Sequence, residues 1–445
     1  MDAEKMIALL HDMVLARAFE ERAAEEYTKG NIAGFLHLYP GEEAVAVGVL
    51  HAAEPSDYIV STYREHVHVI VRGIPPNTVM AELFGKQDGC CHGMGDSMHL
   101  FDRERRFNGL QPWCGGTDLM SDPVYYWQAL NPALDTELAA DDAVFVLGED
   151  VGLYGGSYRV TEGLHTKYGE WRLRDTPISE GGFTGLGVGA ALLGMRPVVE
   201  IMTINFALLA LDAIINMAAK IPFMSGGQFP MPLVVPMPGG VAKQLAAQHS
   251  QRLEQALMNV PGLRIAVPAT PQDAWWQLRQ AIRSDEPIIL LEHELLYFAK
   301  GPLDMAAEAP PMHRAKIHRE GSDLSIVTYS RMLDLSLQAA SQLSETGIEA
   351  EVIDLRSLRP IDWDTCRHSL EKTHRLLVVE EDSRFAGTGA EVVAGLTERA
   401  FYSLDAAPER VAARELPTPY NGTLEAASIP RPADIVHAAK KLCAN

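Results

Sequence analysis

Apolar residues Met6, Leu9, Leu10, Met13 and Val14 recur at helical spacing near the start of the chain, and Gly30 supplies a stop. The acidic residues Glu20, Glu21, Glu25 and Glu26 in the same stretch read as a solvated face. Further on the pattern changes to short, mainly apolar runs at 144–147, 198–201, 233–235 and 288–291, each bounded by Gly or Pro. Such runs are the signature of strands buried on both faces. Helical patterns lie between them, which predicts a mostly parallel sheet with helices on both sides and ligand crevices at the carboxyl ends of the strands. The Gly/Ala-rich stretch 183–193 reads as a buried helix, with Glu180 at its mouth. Residues 302–318, rich in Pro, Ala and Glu, carry no period and read as a linker. Beyond them 324–328, 350–353 and 376–379 read as strands of a second, smaller α/β unit. A further boundary falls at 108–120, where Pro112, Gly115 and Gly116 cluster. No internal repeat is present.

Length and composition narrow the class. With 445 residues, the chain has room for two to four domains, and its apolar fraction of 47% is ordinary for packed cores. A net charge of −21 argues against nonspecific attraction to nucleic acid or an anionic membrane surface. The five cysteines (90, 91, 114, 366 and 443) follow no disulfide framework or zinc spacing. The opening Met1-Asp-Ala-Glu-Lys lacks the basic start and apolar core of a signal peptide, and no apolar run is long enough to span a bilayer. A cytoplasmic protein is the expectation.

Four residues stand out for chemistry. A carboxylate such as Glu180, set against an apolar wall, is raised in free energy as a lone anion and is useful chiefly when it hydrogen-bonds a ligand nitrogen. The competing reading is a helix cap interacting with the dipole. His249, in Gln248-His-Ser-Gln251, is either a hydrogen-bonded structural histidine or a proton carrier. Phe206 is either core or a platform for a ring. Glu149 follows a strand in a Gly-Glu-Asp turn, where it either lines a site or orients its neighbours.

From Tyr125 onward the chain resembles the beta subunit of the thiamine-diphosphate-dependent 2-oxo acid dehydrogenases, the decarboxylating component of the pyruvate or branched-chain type. The resemblance runs in order through Val144-Phe-Val-Leu-Gly-Glu-Asp-Val151, Tyr154-Gly-Gly156, Asp175-Thr-Pro-Ile-Ser-Glu180, Arg196-Pro-Val-Val-Glu200, Asn205-Phe206, Met224-Ser-Gly-Gly227, Gln248-His-Ser-Gln251, Leu291-Glu-His293, Asp354-Leu-Arg-Ser-Leu-Arg-Pro360 and Pro417-Thr-Pro-Tyr420. The front of the chain, from about Met6 to about Phe107, resembles the alpha subunit of the same family through Gly34-Phe-Leu-His-Leu-Tyr39, Gly41-Glu42, Tyr63-Arg-Glu-His66, Arg72-Gly73, Ala81-Glu-Leu83 and the stretch 93–99. An alpha-subunit beginning is thus joined to a nearly complete beta subunit.

The resemblance implies an α/β, transketolase-like architecture. It expects an alpha-like helical segment at 1–108, a linker at 109–122, a pyrimidine-binding domain at 123–303, a second linker at 304–318 and a transketolase C-terminal-type domain at 319–445. It implies that Glu180 contacts the aminopyrimidine ring of thiamine diphosphate, that Phe206 stacks on that ring, and that His249 handles protons beside the substrate carbonyl. Tyr63 and Arg64 match residues that grip the diphosphate, and His37 a substrate-side histidine. Arg suits a diphosphate through its two-pronged fork. A potassium ion is held in some family members near the stretch matching Ala281 and Ile282. The family's magnesium motif, Gly-Asp-Gly followed by Asn, occurs nowhere in this sequence; Gly95-Asp-Ser97 is the nearest fragment. The expected function is therefore a beta-type subunit that decarboxylates a 2-oxo acid, pyruvate first among them, and passes the acyl group to a lipoyl domain. Its expected partners are a separate alpha subunit, a dihydrolipoyl acyltransferase and further copies of itself. A non-catalytic assembly protein descended from the family and another transketolase-like enzyme are the alternatives.

Overall fold

The computed structural model describes residues 3–32, 36, 38–54, 59–60, 66–84, 86, 88–90, 100–102, 107–108, 123–241 and 244–444. The chain divides into two compact units, Met1–Asp118 and Leu119–Asn445.

In the first unit a long helix, Ala3–Thr28, ends just before Gly30, whose φ of 76° closes it. Three short helices follow, Glu43–Leu50, His66–Val71 and Pro76–Leu83. Phe19, Ala23, Val69, Ile70, Val79 and Leu83 form the core shared by the long helix and the last two, while Ala46 and Val47 of the first short helix pack with Ala16 and Val67. The expected solvated acidic face is corrected here, because Glu20 and Glu26 are buried. Glu20 accepts from His66 Nδ1 at 3.0 Å and from the Tyr39 N–H at 3.2 Å. Glu26 accepts from Lys29 and Asn31, the latter at 2.6 Å. Buried carboxylates survive because donors replace the lost water; those of Glu26 are local, whereas those of Glu20 come from residues distant enough in sequence that no local pattern announces them. On the same helix Ile7, Leu10 and Val14 are exposed.

The second unit holds two main sheets and a two-stranded antiparallel pairing of Val124–Tyr125 with Lys300–Gly301. The larger has seven strands in the order Ser357–Arg359, Arg264–Ala266, Ile288–His293, Val234–Gly239, Arg196–Glu200, Val144–Gly148 and Leu173–Asp175. All pairings are parallel except the first, which is antiparallel. Side chains alternate between its faces, as period-2 geometry requires. Phe145, Leu147, Val199, Val235, Met237, Ile289 and Leu291 enter one core with the helix Glu180–Leu192 and the π-helix Asp212–Ala218. Val144, Val146, Val198, Val234, Ile288 and Leu290 enter the other, against the helices Trp127–Ala140 and Pro271–Arg283. Those two helices are clamped by the buried Glu137, which accepts from Arg279 Nε at 2.7 Å and from Arg283 Nε at 2.8 Å.

The smaller sheet has five strands, ordered Lys316–Arg319, Ala350–Asp354, Leu324–Thr328, Leu376–Ser383 and Glu409–Ala413. Its strand Lys316–Arg319 starts inside the stretch read as linker, because a short edge strand of mixed polarity carries no periodic signal. The strand Ser357–Arg359 leaves this sheet's neighbourhood to pair with Arg264–Ala266 of the larger one, and the core on that side continues through Val327, Ile353, Leu358 and Leu370. The Gly/Ala-rich helix is buried along one stripe only: Phe183, Val188 and Ala191 face the core, while Leu186 and Leu193 are exposed.

Candidate active site

The strands Val144–Gly148 and Leu173–Asp175 run side by side with Gly148 opposite Asp175, so the residues after them emerge at one carboxyl edge. Glu149 follows the first strand directly. Glu180 opens the helix that follows the second, with Ser179 as its N-cap residue. Asp175 holds the turn between them by accepting from the Gly152 N–H at 2.6 Å. A Cβ on Gly152 would sit 2.5 Å from Asp175 Oδ2, so any other residue there would displace the Asp175 carboxylate. Both carboxylates are buried, Glu149 at 8% and Glu180 at 4% exposure. Burial pushes the Glu149 carboxyl above its usual range, and the neighbouring negative charges of Glu180 and Asp150 push it further. Glu149 Oε1 has no hydrogen-bond partner. Two acids on an apolar wall, one with an unsatisfied oxygen, form an acceptor site for a ligand that brings N–H donors.

Phe206 begins the short 3-10 helix Phe206–Leu209 beyond the strand Arg196–Glu200. This 3-10 helix lies against the Glu180 helix, since a Cβ on Gly181 would come within 2.9 Å of the Leu209 carbonyl oxygen. Asn205 fixes the opposite side: its Oδ1 accepts from the Gln251 N–H at 3.2 Å, and its Nδ2 donates to Thr203 Oγ1 at 2.7 Å. That bond draws the 244–251 loop toward Phe206, and His249 meets the Phe206 ring edge to face, centroids 5.5 Å apart. His249 is exposed, which leaves its imidazole open to a substrate. Beside it Ser250 and Gln251 line a cleft of about 440 Å³ that reaches Glu381 and Thr418.

The structure thus joins Glu149 with Glu180, and Phe206 with His249. His37, Tyr63 and Arg64 lie outside the described residues. Ala281 and Ile282 are buried in the helix Pro271–Arg283. The Ala281 carbonyl accepts from the Ser284 N–H, and Arg196 Nη1 donates to the carbonyls of Ile282 and Ser284, both at 3.0 Å. A guanidinium therefore already serves the carbonyls where a potassium ion was expected.

Sequence reasoning missed the buried charges behind the 244–251 loop. His293, at the end of its strand, donates from Nε2 to Glu381 at 2.9 Å, while its Nδ1 accepts from the Leu295 N–H. Those two bonds define a neutral ring with its proton on Nε2, in keeping with the burial that lowers its pKa. Glu381 also accepts from the Val241 N–H at 2.7 Å. Arg252 pairs with Glu254 beside them. The signal available was the acidic run Glu380-Glu381-Asp382 ending an apolar strand, where three adjacent carboxylates cannot all reach solvent.

Comparison with known proteins agrees with this layout. Residues 11–119 match the family model of the dehydrogenase E1 component, 122–300 that of the transketolase pyrimidine-binding domain, and 313–435 that of the transketolase C-terminal domain. The chain is 48% identical over 320 residues to a mitochondrial pyruvate dehydrogenase E1 component subunit beta-2 of Oryza sativa subsp. japonica, covering 71% of this chain and 85% of that protein. It is 46% identical over 319 residues to the corresponding beta subunit of Porphyra purpurea, covering 72% of this chain and 96% of that one. Among solved structures it is similar in fold to a split-gene transketolase described as an inactive beta4 tetramer, with a TM-score of 0.59 and 22% identity, over 72% of this chain and 98% of that one. Among the described residues, no helix is long and apolar enough to cross a membrane.

Proposed function

The chain belongs to the family of pyruvate dehydrogenase E1 component beta subunits, and from that membership we propose that it is the beta-type half of a thiamine-diphosphate-dependent dehydrogenase acting on pyruvate. The observation that carries the proposal is the pair Glu149 and Glu180 at one strand edge, with Glu149 Oε1 buried and unpartnered. That donor-seeking arrangement fits an aminopyrimidine. Thiamine diphosphate, when bound, supplies the carbon nucleophile and electron sink that 2-oxo acid decarboxylation needs.

Glu180 and Glu149 accept the ring's N–H groups and orient it. Phe206 packs against the ring and excludes water. His249 moves a proton at the substrate oxygen from an exposed imidazole, with Phe206 holding its plane. The sequence has no Gly-Asp-Gly motif, so magnesium and the diphosphate are held by a separate alpha subunit, with His37, Tyr63 and Arg64 adding to that side. A dihydrolipoyl acyltransferase then receives the acyl group, and the beta-like parts pair with one another.

The test is calorimetric titration of thiamine diphosphate with magnesium into the chain alone and into the chain mixed with an alpha subunit. Binding only in the mixture, and pyruvate turnover lost in Glu180→Gln while cofactor-free stability is kept, supports the proposal. Turnover that survives Glu180→Gln removes the assignment of that residue. No binding in either sample leaves a non-catalytic assembly protein as the reading.

A further inference from the structure

One cluster of metal-ligating side chains lies outside the residues discussed so far. Asp273 occupies the first turn of the helix Pro271–Arg283, held there by its N-cap Thr270, whose hydroxyl donates to Asp273 Oδ2 at 2.7 Å. Asp354 ends the strand Ala350–Asp354, second in the smaller sheet, and His318 lies on the neighbouring edge strand Lys316–Arg319. The pairing between those strands shifts register between Ile317 and Arg319, which places His318 at an irregularity of the ladder. Bulges of this kind re-aim a side chain. Here one oxygen of each aspartate and one nitrogen of His318 come within 4.8 Å of one another.

The cluster is incomplete as it stands. Asp354 is wholly buried, and its Oδ1 accepts from the Arg356 N–H at 3.1 Å, but its Oδ2 has no partner. His318 Nε2 has none either, and the two atoms lie 3.9 Å apart. That is too far for a hydrogen bond. Tetrahedral zinc, with bonds of about 2.0–2.2 Å, sets its ligand atoms roughly 3.4 Å apart, so this pair needs to close by only about half an ångström. Arg356 is the cation already present: its Nε donates to Asp273 Oδ1 at 2.7 Å. The positive charges of Arg356 and Lys316 also act on Asp354, but its Oδ2 accepts no hydrogen bond from either. Each Asp273 oxygen keeps a second lone pair for a further partner.

We propose that Asp273, His318 and Asp354 form a binding site for one divalent transition-metal ion, and that zinc is the ion their donors favour. Imidazole is a poor ligand for magnesium or calcium, whereas one nitrogen with two carboxylate oxygens suits a borderline ion. Water would complete the tetrahedron. The ion sits where the chain crosses between sheets, since Asp354 ends a strand of the smaller sheet and Ser357–Arg359 begins the edge strand of the larger one. Asp273 belongs to a helix packed on that larger sheet. One ion therefore staples the two sheets together, and its role is structural and independent of the thiamine diphosphate site.

The test is titration of zinc alone into the full chain after chelator treatment, without cofactor, alongside His318→Gln and Asp354→Asn. The expected result is one zinc per chain, a rise in Tm with zinc, and affinity at least about tenfold weaker in either variant. Cobalt substitution gives the second readout: a tetrahedral visible spectrum without sulfur charge-transfer bands, lost in His318→Gln. A spectrum showing thiolate ligation would assign the ion to cysteine and overturn the proposal. So would zinc uptake equal in wild type and His318→Gln, or no uptake together with an Asp354→Asn chain more stable than wild type. That last outcome would make a proton the occupant of Asp354.

Discussion

The ring of His249 meets the edge of Phe206 with the two planes at 88°. The contact is made by two loops that follow different strands, and the Asn205–Gln251 hydrogen bond holds them together. Aromatic pairs of this geometry contribute about 0.5–1.5 kcal/mol beyond their buried area. Phe206→Ala should therefore weaken cofactor binding by roughly tenfold and lower kcat as well, because it removes a ring platform and frees the imidazole. His249→Gln should lower kcat by about a hundredfold or more, the span of a lost proton carrier, with cofactor affinity unchanged. Steady-state kinetics with calorimetry on the chain plus alpha subunit separates the two. Equal loss of cofactor affinity in both variants would contradict this division of roles.

Glu149 predicts a pH dependence. Its folded pKa is raised by burial, by Glu180 and by Asp150. A carboxyl with a raised folded pKa loses stability as pH climbs from its unfolded value of about 4.3 toward the folded one. In the cofactor-free chain, Glu149→Gln should flatten the fall in Tm across that interval and raise Tm at neutral pH, while weakening cofactor binding. A variant with an unchanged Tm–pH curve would show that the carboxyl is not under strain.

Gly181 predicts a packing effect on function. The Cβ that Gly181→Ala adds would meet the Leu209 carbonyl oxygen at 2.9 Å, and backbone gives way less readily than a side chain. The Glu180 helix must shift from the Phe206 turn by a few tenths of an ångström. Overpacking of this kind costs about 1–3 kcal/mol. Turnover should fall more than stability, because the displaced residue is Glu180 itself. Gly185→Ala, where added Cβ atoms meet nothing within 4 Å in the single chain, serves as the control on the same helix.

Glu381 anchors the loop that carries His249. Burial alone would raise its carboxyl, but hydrogen-bonded His293, with Arg252 and Arg331, outweighs burial and holds it down at about 2. Its contribution to stability is present above the unfolded value of about 4.3 and is lost as pH falls toward 2. Glu381→Ala, which strips Arg331 of its carboxylate at 3.7 Å and neutral His293 of its acceptor, should destabilise the chain by about 3 kcal/mol, the scale of a broken buried ion pair, and should remove that acid-labile component. Thermal melts from pH 3 to 7 test both expectations. A melt profile parallel to wild type would place the acid sensitivity elsewhere.

The strand cores were legible because each is a short, mainly apolar run, and a run buried on both faces needs no partner to be recognised. Val144–Gly148, Leu324–Thr328 and Leu376–Ser383 all appear where the pattern placed them. The edge strands Lys316–Arg319 and Ser357–Arg359 were not legible, since their residues are polar or mixed and their pairing is decided by the neighbouring sheet. Glu20 misled for a related reason: an acidic run reads as solvated unless its donors are known, and His66 and Tyr39 are far along the chain.

By itself the sequence determined the order of strands and helices, the family, and the residue types Glu149, Glu180, Phe206 and His249. Each of those depends on local spacing or on an ordered series of motifs. Only the tertiary structure decided which of them meet. It set Glu149 beside Glu180 by pairing two parallel strands, and brought His249 to Phe206 through one hydrogen bond from the Gln251 N–H to the Asn205 side chain. It also left Glu149 Oε1 and Asp354 Oδ2 buried without partners. Proximity and solvation belong to packing between distant segments, and no pattern along the chain encodes them.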